Sequence, residues 1–362
     1  MTNLEKVLSG SEKAVYALRS LYVGYGYQQF KMSKFEEYDL YARNKGYLVS
    51  DAVITFTDTD GKLLALKPDV TLSIIKNGKD QPLTLKKVCY GENVYRPSKG
   101  THSFKEIMQV GLECQGDIDE YVINEVLTLA LLSLKSISNE YALDVSHLGV
   151  VSAVIEDLGI SQENGKKVLE LLGEKNVFAI EELLSELGVE KAKIEVVKAL
   201  STAYGKCEIV LEKLFSLSLP KKAIDCLNEL KDTLLALKRL EGYDKTNVDF
   251  SVVNNMNYYN GIVFKGFISG IPTGILSGGQ YDNLMQKMGK NSGAIGFAVY
   301  LDELEKLSTD VKYDVDVVVL YDKGSKIEEV NAQVDKIIAG GETVLVTKTS
   351  TEKLRYKRLI KV

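Results

Sequence analysis

From about Leu148 to Tyr243 the chain reads as helix without a break, and strand signals lie on both sides. Within that block Ile224, Leu227, Leu230, Leu234 and Leu237 recur every three or four residues, the spacing of a buried helical stripe. Upstream, Val53–Phe56 and Leu63–Leu66 flank Asp60-Gly61, a pair that tolerates the positive φ of a tight hairpin. A second β region runs from Leu85 to Tyr95 and returns through Ile107 to Gln115. Downstream, strand signals resume at Val248–Val253, Gly261–Phe267 and Gly293–Val299. A sheet interrupted by ~95 residues of helix fits one architecture, an α+β domain with an antiparallel sheet and a helical insertion.

This reading gives boundaries. The sheet domain takes residues 1–147 and 244–305, and the helical insertion takes 148–243. Amphipathic helices are expected from Asn3 to about Gly26 and from about Asp119 to Ser136. A separate unit at 313–362 reads β-α-β: strand Val315–Leu320, helix Lys326–Ala339, strand Thr343–Thr347. Such a unit buries little by itself.

Composition excludes several classes. With 45% hydrophobic and 26% charged residues the chain is an ordinary globular sequence. It has no apolar run long enough for a bilayer and no signal peptide in Met1–Lys6, so a cytoplasmic address is expected and no membrane. Cys89, Cys114, Cys207 and Cys226 form no Cys-x-x-Cys pair, and the histidines are His102 and His147. Neither a zinc site nor a disulfide framework is expected. A net charge of −5 gives no support for gripping a nucleic-acid backbone.

Four stretches carry a family resemblance. They are Leu66-Lys67-Pro68-Asp69-Val70-Thr71; Tyr95-Arg96-Pro97-Ser98-Lys99-Gly100 leading to Gln109-Val110-Gly111-Leu112-Glu113; Asn257-Tyr258-Tyr259-Asn260-Gly261; and Ser277-Gly278-Gly279-Gln280-Tyr281-Asp282 continuing to Gly296. In this order the chain resembles the catalytic domain of histidyl-tRNA synthetase over about residues 10 to 305. The resemblance implies a class II synthetase fold: a six-stranded antiparallel sheet flanked by helices, and a homodimer. It also implies a pocket for histidine. Glu113, Tyr259 and Tyr281 match the residues around the imidazole, and Gln109, Asp69 and Thr71 match positions near the α-amino group. Tyr258 lies in the same motif.

The departures fall on one chemical function. Where these synthetases carry arginines for ATP, this chain has Asn93, Asn254 and Glu303; Tyr95 replaces a motif glutamate and Ser33 the first-motif proline. The loop after Gly100 is two residues long in excess, so Thr101 to Met108 has no residue-by-residue match. Amino-acid activation places charge on the α-phosphate of ATP. A single transition-state arginine is worth ~10³–10⁵ in rate in phosphoryl transfer. No aminoacylation is therefore expected.

The tail resembles only the opening of the anticodon-binding domain of those synthetases, so no tRNA partner is expected. The pattern resembles the family's non-catalytic branch, the regulatory subunits of ATP phosphoribosyltransferase in histidine biosynthesis. That resemblance implies no chemistry and no cofactor in this chain. The implied partner is a short-form catalytic subunit that makes phosphoribosyl-ATP, with free histidine as the feedback ligand. Two other readings stay open: a diverged histidyl-tRNA synthetase, and a synthetase-like binding protein of another role.

Overall fold

The computed structural model describes residues 8–48, 53–97, 103–252, 258–302, 304, 313–349 and 354–362. They form two compact units, Ala14–Leu304 and a second made of Met1–Lys13 with Glu305–Val362.

The larger unit is built on a nine-stranded sheet. Its strands are β1 (Gln28–Gln29), β5 (Lys86–Pro97), β6 (Phe104–Gly116), β7 (Tyr141–His147), β8 (Tyr204–Lys206), β9 (Thr246–Asp249), β10 (Ile262–Ile268), β11 (Leu276–Gln280) and β12 (Gly293–Tyr300), in the order β1-β5-β6-β12-β11-β10-β7-β9-β8. The inner six, β5 through β7 in that order, are antiparallel throughout. The sheet thus exceeds the six expected strands. β1 adds to β5 in parallel at one end, and β9 adds to β7 in parallel at the other, carrying β8 outside it.

Strand alternation assigns the two faces. On β6, Val110, Leu112 and Cys114 enter the main core, while Gln109, Glu113 and Gln115 are buried on the other side. The core face is covered by α1 (Gly10–Gly24) and α4 (Glu120–Ile137). Asp119 starts α4 by accepting the amide of Val122 at 2.9 Å, a side-chain cap that satisfies one orphan donor. The opposite face carries α3 (Thr71–Asn77), α11 (Asp282–Lys287) and a small antiparallel sheet in the order β2 (Phe35–Glu37), β4 (Leu63–Leu66), β3 (Thr55–Thr57). The β3–β4 hairpin turns where expected, with Gly61 at φ 81° and the Asp58 carboxylate accepting two turn amides. A short α2 (Tyr38–Arg43) precedes it.

Helices α5 (Leu148–Asp157), α6 (Gln162–Gly173), α7 (Val177–Glu186), α8 (Lys191–Ser201), α9 (Cys207–Phe215) and α10 (Lys221–Leu237) occupy the expected helical block, which is not helical without a break, because β8 interrupts it between α8 and α9 to pair with β9. One hydrophobic cluster runs from the sheet through these helices without a gap. The stripe of α10 is Ala223, Leu227, Leu230, Leu234 and Leu237; Ile224, expected in it, is 37% exposed on the neighbouring face.

The strand expected at Val248–Val253 is β9, which begins two residues earlier and ends in a turn at Asp249; Val253 lies outside the described residues. In the smaller unit, β13 (Val315–Leu320), α12 (Ile327–Ala339) and β14 (Val344–Thr347) match the expected β-α-β. A further strand, β15 (Tyr356–Lys361), pairs parallel on the far side of β13. Val317, Val319, Val330 and Ile337 form its core.

Candidate functional site

A cavity of about 550 Å³, counted to its open mouth, lies on the sheet face opposite α4. All seven expected ligand residues line it: Asp69, Thr71, Gln109, Glu113, Tyr258, Tyr259 and Tyr281. They arrive from four places. Asp69 and Thr71 open α3, Gln109 and Glu113 stand on β6, Tyr258 and Tyr259 precede β10, and Tyr281 follows β11. Phe297 and Tyr300 belong to β12.

Glu113 is the centre of the arrangement. Its side chain is buried, and each carboxyl oxygen accepts one hydroxyl: Thr71 Oγ1 donates to Oε1 at 2.6 Å, and Tyr281 Oη donates to Oε2 at 2.7 Å. Both donors are neutral. Burial therefore dominates and pushes the carboxyl up to about 8; the two hydroxyls pull it back and the charge of Asp69 raises it further. Gly296, paired with Glu113 across the sheet, must be glycine, because a Cβ there would lie 2.5 Å from the Leu112 carbonyl oxygen and would also overlap Glu113 Oε2. Gly111 is held the same way by Tyr90 and by the carbonyl of Phe297. The two glycines make room for the Glu113 and Tyr90 side chains.

Asp69 is also buried. Its Oδ1 accepts the amide of Leu72 at 2.9 Å, and Oδ2 lies 4.0 Å from Arg96. Burial raises its carboxyl above the usual range, against the pull of the Arg96 guanidinium. The tyrosines pack as an aromatic wall, with ring centroids 4.7 Å apart for Tyr258–Tyr259 and 5.8 Å for Tyr258–Tyr281. Burial holds the Tyr258 and Tyr281 phenols well above their ordinary value, so they stay protonated and donate.

Sequence motifs single out neither Arg96 for this site, nor Ser277, nor Tyr300; all three line the cavity. Asn93 does not. On β5 Tyr90 faces the cavity, Glu92 pairs with Gln109, and Arg96 continues the same face. Asn93 and Tyr95 fall on the opposite face, where both donate to Glu106 Oε1. Asn93, matched to an ATP-binding arginine of the synthetases, faces away from this cavity by strand alternation. Asn254 and Glu303 lie outside the described residues. Among the described residues no cluster could hold a metal ion, and no helix is long and apolar enough to cross a membrane. No described cysteine forms a disulfide.

Fold and cavity define the class. Residues 4–304 match the family model of histidyl-tRNA synthetase. An ATP phosphoribosyltransferase regulatory subunit of Clostridium kluyveri is 31% identical over 319 residues, which covers 84% of this chain and 81% of the relative. The chain belongs to the histidyl-tRNA synthetase-like family of ATP phosphoribosyltransferase regulatory subunits. Solved structures share the fold. A structure described as an ATP phosphoribosyltransferase regulatory subunit/histidyl-tRNA synthetase from Bacillus halodurans aligns with TM-score 0.79 at 22% identity, covering 97% of this chain and 93% of that one. A chain of an ATP phosphoribosyl transferase complex from Thermotoga maritima aligns with TM-score 0.64 at 20% identity, covering 80% and 97%.

Proposed function

We propose that this chain is a non-catalytic regulatory subunit of ATP phosphoribosyltransferase, needed for the first step of histidine biosynthesis and for its inhibition by histidine. It docks a short-form catalytic subunit, as a homodimer formed through the sheet domain, and reads no tRNA. The observation that carries the ligand side of this reading is the buried Glu113 carboxyl, held by two neutral hydroxyls at the end of an aromatic cavity. An imidazole N–H satisfies an acceptor of this kind, and the tyrosine rings cover its faces.

Family membership supports the partner side. Regulation then requires that histidine bind two states of the assembly with different affinity. The cavity is enclosed by segments from distant parts of the chain, so filling it ties α3, β6 and the segment before β10 together. That gives the ligand a means to favour one arrangement.

The test is reconstitution. The catalytic subunit is assayed for phosphoribosyl-ATP formation alone, with this chain, and with this chain plus histidine. The expected result is negligible turnover alone, turnover in the assembly, and inhibition by histidine. A catalytic subunit equally active and equally histidine-sensitive without this chain would contradict the reading.

A further inference from the structure

We propose that His147 is a proton-operated latch between the sheet and the helical insertion: the neutral ring holds the first turn of α5, and a second ring proton releases it. His147 ends β7 and caps α5, and it is 3% exposed. Its Nδ1 accepts the amide of Gly149 at 3.0 Å. A ring nitrogen that accepts carries no proton, so the neutral ring holds its proton on Nε2. Nε2 stands 3.3 Å from Glu229 Oε2 on α10, an ion-pair distance without the alignment of a hydrogen bond. One side chain thus joins the end of β7 to the first and last helices of the insertion.

The second proton makes this joint a switch. It can go only to Nδ1, and an imidazolium donates at both nitrogens. The Nδ1–H then meets the Gly149 N–H, donor against donor, at a helix N-terminus where positive charge is disfavoured. On the other side the new charge strengthens the attraction of Glu229. The His147 ring lowers the Glu229 carboxyl from its ordinary value, against the burial that raises it, so the group waiting there is a carboxylate. Both effects draw the ring toward α10 and off the turn. A Cβ on Gly149 would lie 2.6 Å from Cys226 Sγ of α10 and 2.8 Å from His147 Cε1, so turn, thiol and ring are in close contact. Burial first, and then the charge of Glu229, raises the Cys226 thiol, which stays neutral. Lys222 and Asp225 of α10 act on that thiol in opposite directions, and Lys222 pairs with Glu156 of α5 at 2.8 Å. Across the sheet His147 pairs with Ile262 of β10, which brings no charge. Among the described residues Glu229 is the only ion-pair partner of the ring. The latch also reaches the cavity wall: Leu148 donates its amide to the carbonyl of Gly261 at 2.9 Å, in the segment that carries Tyr258 and Tyr259.

Hydrogen exchange of the full chain, read by mass spectrometry and divided by the intrinsic rate at each pH, tests this. The window from about pH 8 to about pH 5 brackets the ~6.5 of a free imidazole. Across it the α5 peptide, Leu148–Asp157, should lose about 2- to 30-fold in protection, the worth of a helix cap, while α12 in the smaller unit keeps its own. His147→Asn should abolish the loss, because Asn caps a helix and takes no proton. His102 remains in that variant, so the other histidine is controlled. Glu229→Gln, which removes the attracting charge, should move the loss to lower pH; it decides the matter if His147→Asn does not fold. Level protection of α5 in wild type, or an equal fall in the folded His147→Asn, overturns the proposal. So does a loss shared equally by α12, which reports general unfolding, or an unshifted loss in Glu229→Gln.

Discussion

A carboxyl group that stays protonated near neutral pH must be enclosed, and Glu113 is enclosed by hydroxyls rather than by cations. Its ordinary value is 4.5 and in the folded chain it is about 8. Between those values the folded chain holds a proton that the unfolded chain has released, so stability falls as pH rises through the window and levels off above it. Thermal unfolding of wild type and Glu113→Gln across this range should show the difference shrinking for wild type from about pH 5 to about pH 8, where the neutral amide is indifferent. Asp69 and Asp144 are raised in the same direction, but they are present in both proteins. Parallel curves would show that Glu113 is ionised when the cavity is empty. At this scale the sequence was legible where a motif names the residue: all seven expected ligand positions meet in one cavity. It was not legible for Arg96 and Asn93. Which of them faces the cavity depends on the β5–β6 register, and a shift of one residue exchanges the faces. The connecting loop, whose length sets that register, offered no reliable alignment.

The elements repeat this lesson. The long strands β5, β6, β10 and β12 and the helix α4 are visible from periodicity alone. β7 is not, because six of its seven residues are buried and no alternation shows. β11 reads Leu-Ser-Gly-Gly-Gln, a composition poor in strand formers, and it exists because β10 and β12 pair with it on both sides. β1 and β8, of two and three residues, are too short to carry a period. Local signals decide the helix starts instead. Asp119 caps α4, the helix whose buried face covers the core side of the sheet behind the cavity. Asp119→Ala should lower stability by about 1 kcal/mol, seen as a lower denaturant midpoint at unchanged slope. An unchanged midpoint would mean that packing alone fixes the start of α4.

The whole molecule joins a synthetase-like body to a small three-stranded unit, and each has its own core. The α+β class and the antiparallel centre of the sheet were readable from the order of β and helical segments. The parallel strands at the sheet ends and β15 were not, since they depend on pairing between distant segments. At this scale the proposed role is that the cavity in the body reports histidine to a catalytic partner. The most direct measurement is inhibition of the reconstituted phosphoribosyltransferase by histidine, with wild type and with Glu113→Ala, each scaled to its own uninhibited rate. Removing Glu113 leaves the imidazole N–H without its acceptor, at a cost of ~1–3 kcal/mol. Half-inhibition is expected to move to about 5- to 150-fold higher histidine. Superimposable curves would contradict it and place the feedback site outside this cavity.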